Sequence, residues 1–344
     1  MKQMPTSTMV EILTPIWERL LQCSSIGVND NFFDLGGDSS LALELFNEIA
    51  RVCGRELPPV MIYHASTISA LAALLEDPNT PRFPPLVLLK AGDQEPPAFI
   101  THGLGGSVMD FFQVVRSIQT PHAIQGMQAR GIDGIDAPFD RIEDMADFYL
   151  GAVKDVQPHG PYFLIGYSLG GLVTLEMAQR LSANGENVAL LAMVDSYPHT
   201  SCLSRSQRVR LGMRLSRRRA AAILQLPMRE ALSSMVRSSE RRLLISGASY
   251  QPPTDMPVTP AMQRVRDSAY RALERYQPRF YAGKIKFVRA AIPTYFPKNP
   301  AAVWAHLAGD FVVDTVPGDH LGIITTHFEA LAALLSRYLK EALS

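Results

Sequence analysis

The sequence predicts a small helical bundle followed by a larger α/β domain with a mostly parallel sheet. Apolar residues first recur at helical spacing, a proline-rich stretch follows, and short apolar runs then alternate with amphipathic stretches. A chain of 344 residues is long enough for about two domains. Its 47% hydrophobic and 19% charged residues exclude wholesale disorder and a fibrous repeat.

The first part is predicted to contain three helices, each marked by apolar residues three or four positions apart. These residues are Val10, Leu13, Ile16, Trp17, Leu20 and Leu21, then Leu41, Leu45, Phe46 and Ile49, then Ile68, Leu71, Ala72 and Leu75. Pro15 lies inside the first set and indicates a kink or a later start of that helix. The part is acidic, with ten Asp and Glu against four Lys and Arg over residues 1–80.

Four prolines in the nine residues Asp77–Pro85 separate the two parts. Proline lacks an amide donor and fixes φ, so this stretch suits neither a helix interior nor a central strand. We therefore assign residues 1–77 to the bundle, 78–85 to a linker and 86–344 to the α/β domain. Such a linker is a fairly stiff tether of about 30 Å that lets one domain swing against the other.

Six apolar runs of the second part are predicted to be strands. They are Leu86–Leu89, Phe99–Ile100, Tyr162–Ile165, Val188–Val194, Lys284–Val288 and Phe311–Val316. Residues 201–277 interrupt this alternation with arginine-rich helical sequence, which we interpret as a lid inserted over the sheet edge. Phe328–Leu343 closes the chain as an amphipathic stretch.

A predicted strand, a Gly-x-Ser-x-Gly turn and an amphipathic helix follow one another over Tyr162–Leu181. This context is that of a nucleophile elbow, in which the serine stands on a strained turn. Gly166 and Gly170 fit the turn because a Cβ at either position would collide with neighbouring backbone. Ser168 is therefore the predicted nucleophile of an α/β-hydrolase fold with a helical lid.

A serine nucleophile needs a base, and His320 is the predicted one. It follows the strand Phe311–Val316, and the chain order Ser…Asp…His of this fold requires a late histidine. The other histidines outside the oxyanion loop are predicted to be surface or core residues: His64, His122, His159, His199, His306 and His327.

Asp195 is the predicted partner that orients His320. It directly follows the strand Val188–Val194, and the carboxyl end of a sheet strand faces the ligand side. Asp319 is the alternative because it is next to His320 in sequence, with Asp310 and Asp314 behind it.

The oxyanion hole is predicted to combine the amide of Leu169 with one from the loop Thr101–Gly106. The donor in this loop is Gly103 or Leu104, and the sequence leaves both open. His102 is predicted to pack or to shape the loop, and a position lining the site is the alternative.

A second motif, Gly36-Gly37-Asp38-Ser39, precedes the second predicted helix. A serine at a helix N-terminus is commonly a cap, but the same place suits a covalently attached phosphodiester, because the helix end stabilises its charge. Asp30–Leu41 closely resembles the attachment motif of the carrier domains of nonribosomal peptide and polyketide synthetases, although Ser40 stands where that family commonly has leucine. The resemblance covers residues 8–77 and implies 4′-phosphopantetheine on Ser39.

Residues 86–343 resemble the integrated thioesterase of the same synthetases, an α/β-hydrolase with a helical lid. The matching motifs are Gly166–Gly171, Val194–Ser196, Tyr276–Ile285 and Pro317–His320. The family often has proline in the oxyanion loop, where this chain has Thr101-His102-Gly103. The resemblance implies a thioesterase of secondary-metabolite biosynthesis that acts by an acyl-serine mechanism, with upstream synthetase modules and a phosphopantetheinyl transferase as partners.

Several function classes are disfavoured by the sequence. No apolar run approaches the ~18–20 residues of a membrane-spanning helix, and Met1–Val10 lacks a secretion signal, which favours a cytoplasmic protein without a membrane partner. The three cysteines are widely spaced and predict no metal site. Eleven arginines oppose two glutamates over residues 204–242, but no Phe, Trp or Tyr between residues 204 and 249 offers a stacking platform for nucleic acid. That segment is interpreted as a solvated lid face, with steering of the acidic carrier domain as the alternative.

The two serines then belong to one predicted reaction. A thioester carried at Ser39 is delivered to Ser168, and the acyl-serine is released by hydrolysis or by intramolecular cyclisation. The alternatives are a carrier module with a non-catalytic hydrolase-like domain and an editing hydrolase that clears mis-loaded carriers. The acyl group itself is not readable from the sequence.

Overall fold

The computed structural model describes residues 6–55, 57, 59–63, 65–77, 82–224, 260–293 and 296–343. His64, the linker residues 78–81 and residues 225–259 of the predicted lid lie outside the described residues. In the part that is described, no helix combines the length and hydrophobicity needed to cross a membrane.

The bundle contains the three predicted helices, α1 (Thr6–Leu21), α2 (Ser39–Cys53) and α3 (Ile68–Glu76), with a 3₁₀ turn at Pro59–Tyr63. Its core is centred on Trp17, which packs edge-to-face on Phe32 with ring centroids 5.1 Å apart. Pro15 lies inside α1, so the expectation of a later helix start is wrong. Beside it, the hydroxyl of Thr14 donates to the carbonyl oxygen of Val10 at 2.8 Å.

The α/β domain is built on a seven-stranded sheet in the order β1-β3-β2-β4-β5-β6-β7. The strands are β1 (Leu86–Lys90), β2 (Gln94–Thr101), β3 (His122–Met127), β4 (Tyr162–Tyr167), β5 (Val188–Val194), β6 (Tyr281–Ala290) and β7 (Ala308–Val316). Among the strand pairs of the described residues, only β1–β3 is antiparallel. A helical bundle followed by a mostly parallel α/β sheet is therefore confirmed.

Two features of the sheet differ from the prediction. Strand β3 was not expected, because His122–Met127 has no continuous apolar run and includes Gly126. Strand β2 is longer than expected and contains Pro96 and Pro97. These prolines lie between Gln94 and Ala98, where the β2–β3 register shifts, and the β2–β4 pairing begins only at Ala98, so their missing amides remove no pairing there.

Helices cover both faces of the sheet, as a parallel sheet requires. One face buries the apolar sides of α5 (Ile142–Val156) and α6 (Leu169–Ala183). The other buries α4 (Phe112–Ser117) and the C-terminal helix Phe328–Ala342. The loops that carry the predicted site residues Ser168 and Asp195 follow the carboxyl ends of strands that are covered on both faces.

Between β5 and β6 the structure describes α7 (Arg205–Leu224) and α8 (Pro260–Arg275), and α9 (Ala301–Trp304) and α10 (Phe328–Ala342) complete the domain. Glu176 of α6 fastens the segment after α8 to the body of the domain. Its buried carboxylate accepts hydrogen bonds from the Tyr276 hydroxyl at 3.1 Å and from the Arg279 guanidinium at 3.0 Å. Whether α7 and α8 form a lid stays a prediction.

Candidate active site

Ser168 stands on a sharp turn between β4 and α6. Strand β4 ends at Tyr167 and α6 begins at Leu169, which leaves Ser168 with φ 54° and ψ −119°. A Cβ built at Gly166 would lie 2.3 Å from the carbonyl oxygen of Gly170, and one built at Gly170 would lie 2.4 Å from that of His102. The glycines therefore let the strand, the helix and the oxyanion loop approach closely around the serine.

The structure brings Ser168, His320 and Asp195 into one hydrogen-bonded series. His320 Nε2 lies 3.1 Å from Ser168 Oγ, and His320 Nδ1 lies 2.8 Å from Asp195 Oδ2. Because the carboxylate can only accept, Nδ1–H donates to Asp195, which leaves Nε2 to accept the proton of the serine hydroxyl. This arrangement supports general-base activation of Ser168.

Asp195 is held by backbone groups at the carboxyl end of strand β6. Its backbone takes φ 45°, its amide donates to the carbonyl oxygen of Val288 at 2.6 Å, and its Oδ1 accepts from the amide of Ala290 at 3.2 Å. One carboxylate oxygen, Oδ2, thus faces His320, while the backbone amide of Ala290 holds the other, Oδ1.

The alternative carboxylates have other partners. Asp319 accepts from the amide of Gly322 at 2.8 Å, which makes it part of the turn that carries His320. Asp310 pairs with Lys284 at 3.0 Å, and Asp314 accepts from the hydroxyl of Tyr338 at 2.6 Å.

Two aromatic side chains hold His320 in place, and sequence reasoning did not assign either of them. Tyr167 stacks on the imidazole with centroids 4.9 Å apart, and its hydroxyl donates to the His320 carbonyl oxygen at 2.7 Å. Phe296 packs edge-to-face on the same imidazole, with ring centroids 5.1 Å apart. Tyr167 could have been found as the variable residue of the Gly-x-Ser turn, whereas no local signal marks Phe296.

The oxyanion loop passes beside the nucleophile. A Cβ built at Gly103 would lie 3.6 Å from Ser168 Cβ, so the backbone of Gly103 runs close to the serine. The carbonyl oxygen of Gly103 is within 2.6 Å of His102 Nδ1 and accepts from the amide of Gly106 at 3.2 Å. Both contacts fix the peptide plane that joins Gly103 to Leu104. The amide of Leu169 comes from the first residue of α6, at the positive end of the helix dipole.

His102 belongs to this loop, and its buried side chain helps to shape it. Its Nε2 lies 2.7 Å from the hydroxyl of Tyr149. Burial raises the pKa of Tyr149, so the phenol stays protonated and donates, and His102 accepts there and donates through Nδ1 to Gly103. Burial also lowers the pKa of His102 from 6.5 to about 4, so the imidazole is neutral at pH 7.

The remaining described histidines lie elsewhere. His122 is buried with Nδ1 2.9 Å from the carbonyl oxygen of Pro96, and His159 lies 3.1 Å from Glu186. His199 lies 2.8 Å from the Ser201 hydroxyl. His306 is exposed in a 3₁₀ turn, and half-buried His327 precedes α10.

Ser39 is the first residue of α2, and the cap of that helix is Asp38. The Asp38 carboxylate accepts from the amides of Ser40 and Leu41, each at 2.9 Å. Gly36 has φ +94°, and a Cβ built at Gly37 would lie 2.3 Å from the ring of Phe32. The capping role is therefore filled by Asp38, and the first turn of a 15-residue helix next to two glycines suits a phosphodiester on residue 39. Within the described ranges, no group of three or more His, Cys, Asp or Glu could hold a metal ion.

Models of known protein families match both parts of the chain. The family model described as thioesterase domain matches residues 96–339, and the one described as phosphopantetheine attachment site matches residues 11–75.

Two curated proteins illustrate the sequence similarity. A dimodular nonribosomal peptide synthase of Bacillus subtilis is 37% identical over 196 residues, and enterobactin synthase component F of Escherichia coli is 32% identical over 191 residues. The matched regions cover 57% and 54% of this chain but only 8% and 15% of those proteins. The chain thus corresponds to a small part of much longer relatives.

Two solved structures illustrate the similarity of fold. A four-domain nonribosomal peptide synthetase bound to AMP and glycine superposes with a TM-score of 0.59 at 23% identity, covering 96% of this chain and 26% of that one. ClbQ from the colibactin pathway superposes with a TM-score of 0.51 at 15% identity, covering 71% of this chain and 97% of that one.

Proposed function

This chain belongs to the thioesterase domain family and carries a phosphopantetheine attachment domain ahead of it, and we propose that it releases an acyl or peptidyl chain from a thioester through Ser168. The observation that carries the proposal is the unbroken series of hydrogen bonds from Asp195 through His320 to Ser168. Its relatives among nonribosomal peptide synthetases support a role in chain release at such an assembly.

The first half of the reaction forms an acyl-serine. As Ser168 Oγ bonds to the thioester carbonyl carbon, its proton passes to His320 Nε2 and the carbonyl oxygen becomes an oxyanion. We assign its stabilisation to the amides of Leu169 and Leu104, since the Gly103–Leu104 peptide plane is fixed through the Gly103 carbonyl, with the Gly103 amide as the alternative donor. Asp195 holds the imidazole in the required tautomer and stabilises its positive charge.

The carbon–sulfur bond then breaks, and the departing sulfur takes the proton held by His320. A thiol has a pKa of about 8.5 and is a far better leaving group than an amine, so this step depends little on proton donation. In the second half, water or a nucleophile within the acyl chain gives its proton to His320 and attacks the ester carbonyl carbon. The bond from that carbon to Ser168 Oγ then breaks, and Oγ takes the proton back from His320. Hydrolysis yields an acid, and internal attack yields a ring.

We assign the attachment of 4′-phosphopantetheine to Ser39, where the N-terminal end of α2 favours the charge of the phosphodiester. When bound, this group supplies the thiol that holds the acyl chain as a thioester. Because carrier and enzyme share one polypeptide, the donor is present at a high effective concentration. Upstream synthetase modules that extend the chain and a phosphopantetheinyl transferase that modifies Ser39 are the partners this role requires.

The domain boundaries at residues 1–77, 78–85 and 86–344 and the lid over residues 201–277 belong to the same proposal. The geometry of Ser168 and His320 argues against a non-catalytic carrier module. A carrier on the same chain favours release of a finished product over editing of other carriers.

Substitutions in the hydrogen-bonded series test the proposal. With a diffusible acyl thioester, Ser168→Ala should lower kcat by about 10⁶ and Asp195→Asn by about 10⁴, since the latter leaves the imidazole in the wrong tautomer. Ser206→Ala, an exposed serine of α7, and Asp319→Asn, the neighbour of the base, are the matched controls. Both should reduce kcat far less, and near-normal turnover by Ser168→Ala would refute the assignment.

A further inference from the structure

The bundle and the α/β domain share an apolar contact. Val87, Val108 and Met109 of the α/β domain belong to the same buried cluster as the core of the bundle. Phe33 of the bundle lies against Phe112 with ring centroids 5.0 Å apart. We call Val87, Val108, Met109 and Phe112 the docking face.

The bundle contributes a pair of stacked rings to this contact. The ring of Phe33 stacks on that of Tyr63 at 4.9 Å, and the ring of Tyr63 itself lies 6.4 Å from that of Phe112, so the three rings form one cluster. Burial, with the nearby charge of Asp110, raises the pKa of Tyr63, whose hydroxyl is buried with no hydrogen-bond partner within the described residues. The contact therefore depends on the faces of the rings rather than on polar pairing, since apolar burial and aromatic stacking are its sources of free energy.

The described end of the linker also lies against the α/β domain. The amide of Phe83 donates to the Asp133 carboxylate at 3.1 Å, and the carbonyl oxygen of Pro85 accepts from the amide of Gln128 at 2.8 Å. The tether is therefore anchored on the same domain that bears the docking face, which shortens the free chain between the two domains.

The docking face is continuous in sequence with the oxyanion loop. Gly103 runs beside Ser168, and only five residues later Val108 enters the core of the bundle. Between them, the Ser107 hydroxyl accepts from the amide of Met109 at 3.1 Å, and the Val108 amide donates to Gln128. Any displacement of the segment from Val108 onward is therefore transmitted to a short loop with few residues to absorb it.

The same segment touches the support of the catalytic histidine. Phe111, in the 3₁₀ turn Met109–Phe111, packs edge-to-face on Tyr167 at 5.9 Å. Tyr167 in turn stacks on His320 and donates to its carbonyl oxygen. One turn of chain thus contacts the bundle on one side and the residue that positions His320 on the other.

We propose that the docking face receives the carrier domain of this chain through Phe33 and Tyr63, and that the docked carrier supports the oxyanion loop and thereby the catalytic rate. The inference rests on the proposed function and adds to it the surface by which the donor domain is held. It makes the carrier a structural contributor to the active site as well as the bearer of the substrate.

The test uses the full chain with Ser39→Ala, so that no substrate can be delivered by the carrier, and an acyl-N-acetylcysteamine as diffusible thioester. On this background Phe33→Ala and, from the other side of the contact, Phe112→Ala should each lower kcat about 3–10-fold with little change in KM, since each removes one ring of the aromatic cluster that joins the two domains. Tyr63→Phe keeps the ring and should stay within about twofold. Val28→Ala, at an exposed residue of the bundle, is the matched control.

Two outcomes separate the inference from the function on which it rests. A kcat that is unchanged in both Phe33→Ala and Phe112→Ala would overturn support of the loop by the docked carrier. Absence of turnover in the chain that carries Ser39→Ala alone would instead contradict the thioesterase function. Complete modification of Phe33→Ala by a phosphopantetheinyl transferase, tested with Ser39 restored, shows that the substituted carrier still folds.

Discussion

At the scale of single residues, the candidate site contains two residues with an unusual backbone conformation. Ser168 and Asp195 are both non-glycine residues with positive φ, at 54° and 45°. Such conformations cost about 1–3 kcal/mol and persist where surrounding structure fixes them. The Gly-x-Ser-x-Gly pattern predicts the turn at Ser168. The conformation of Asp195 has no sequence signal, because it depends on hydrogen bonds to Val288 and Ala290 of a strand some 90 residues away.

Two glycines in helices provide a matched pair for testing the close approach at the turn. Gly170→Ala should prevent stable folding or lower the melting temperature strongly, because its Cβ would meet the backbone oxygens of His102 at 2.4 Å and Thr101 at 2.6 Å. Gly151→Ala in α5 has nothing within 4 Å and should stabilise the helix by about 0.5–1 kcal/mol. Thermal unfolding of both variants checks this. A Gly170→Ala protein as stable as Gly151→Ala would show that the turn is looser than described.

The buried neutral His102 should make stability depend on pH. Its pKa of about 4 in the folded chain lies below the ordinary 6.5, so between these values the unfolded chain binds the extra proton. The free energy of unfolding therefore falls as the pH drops through this range, by about 2 kcal/mol between pH 7 and pH 5. Urea unfolding at the two pH values should show a smaller loss in His102→Asn than in the unsubstituted chain. Equal losses in both proteins would contradict a neutral buried imidazole.

At the scale of helices and strands, periodicity predicted the long elements and missed a short one. The apolar stripes of α1, α2 and α3 are clear because each runs over two or more turns. Strand β3 gives no such signal, because it is short, carries polar residues and contains Gly126, against which the side chain of Leu89 in the antiparallel neighbour β1 packs. Local sequence could not reveal this contact, since it joins segments that meet only in the folded sheet.

The anchor between α6 and the segment after α8 can be tested at Glu176. Its carboxylate is buried and hydrogen-bonded to Arg180, Tyr276 and Arg279, so Glu176→Ala should lower the free energy of unfolding by about 1–3 kcal/mol. Asp310→Ala, which removes an ion pair with Lys284 in which both side chains are more than half exposed, is the control and should have a much smaller effect. Chemical denaturation measures both, and equal effects would mean that burial of Glu176 contributes nothing.

At the scale of the whole molecule, chain order predicts more than local pattern does. The sequence leads to Ser168, Asp195 and His320 although 152 positions separate the first from the last, because the parallel topology brings strand ends to one edge. The contact between Phe33 and Phe112 could not be predicted from the sequence, since neither residue lies in a motif that indicates a contact with the other domain. The proline-rich linker predicts that one domain can swing against the other, and it does not predict the apolar contact between them. The interpretation of residues 204–242 as a solvated lid face stays a prediction, with steering of the carrier domain as its alternative.

In the proposed reaction, Ser168 takes its acyl group from the carrier of the same chain. This transfer can be followed directly by loading Ser39 with an acyl-phosphopantetheine, quenching the reaction at successive times and measuring the masses of the peptides that contain Ser39 and Ser168. The acyl mass should leave the Ser39 peptide and appear transiently on the Ser168 peptide, at a first-order rate independent of protein concentration. In Ser168→Ala the acyl group should remain on the Ser39 peptide, and its loss there at the unsubstituted rate would refute transfer from Ser39 to Ser168.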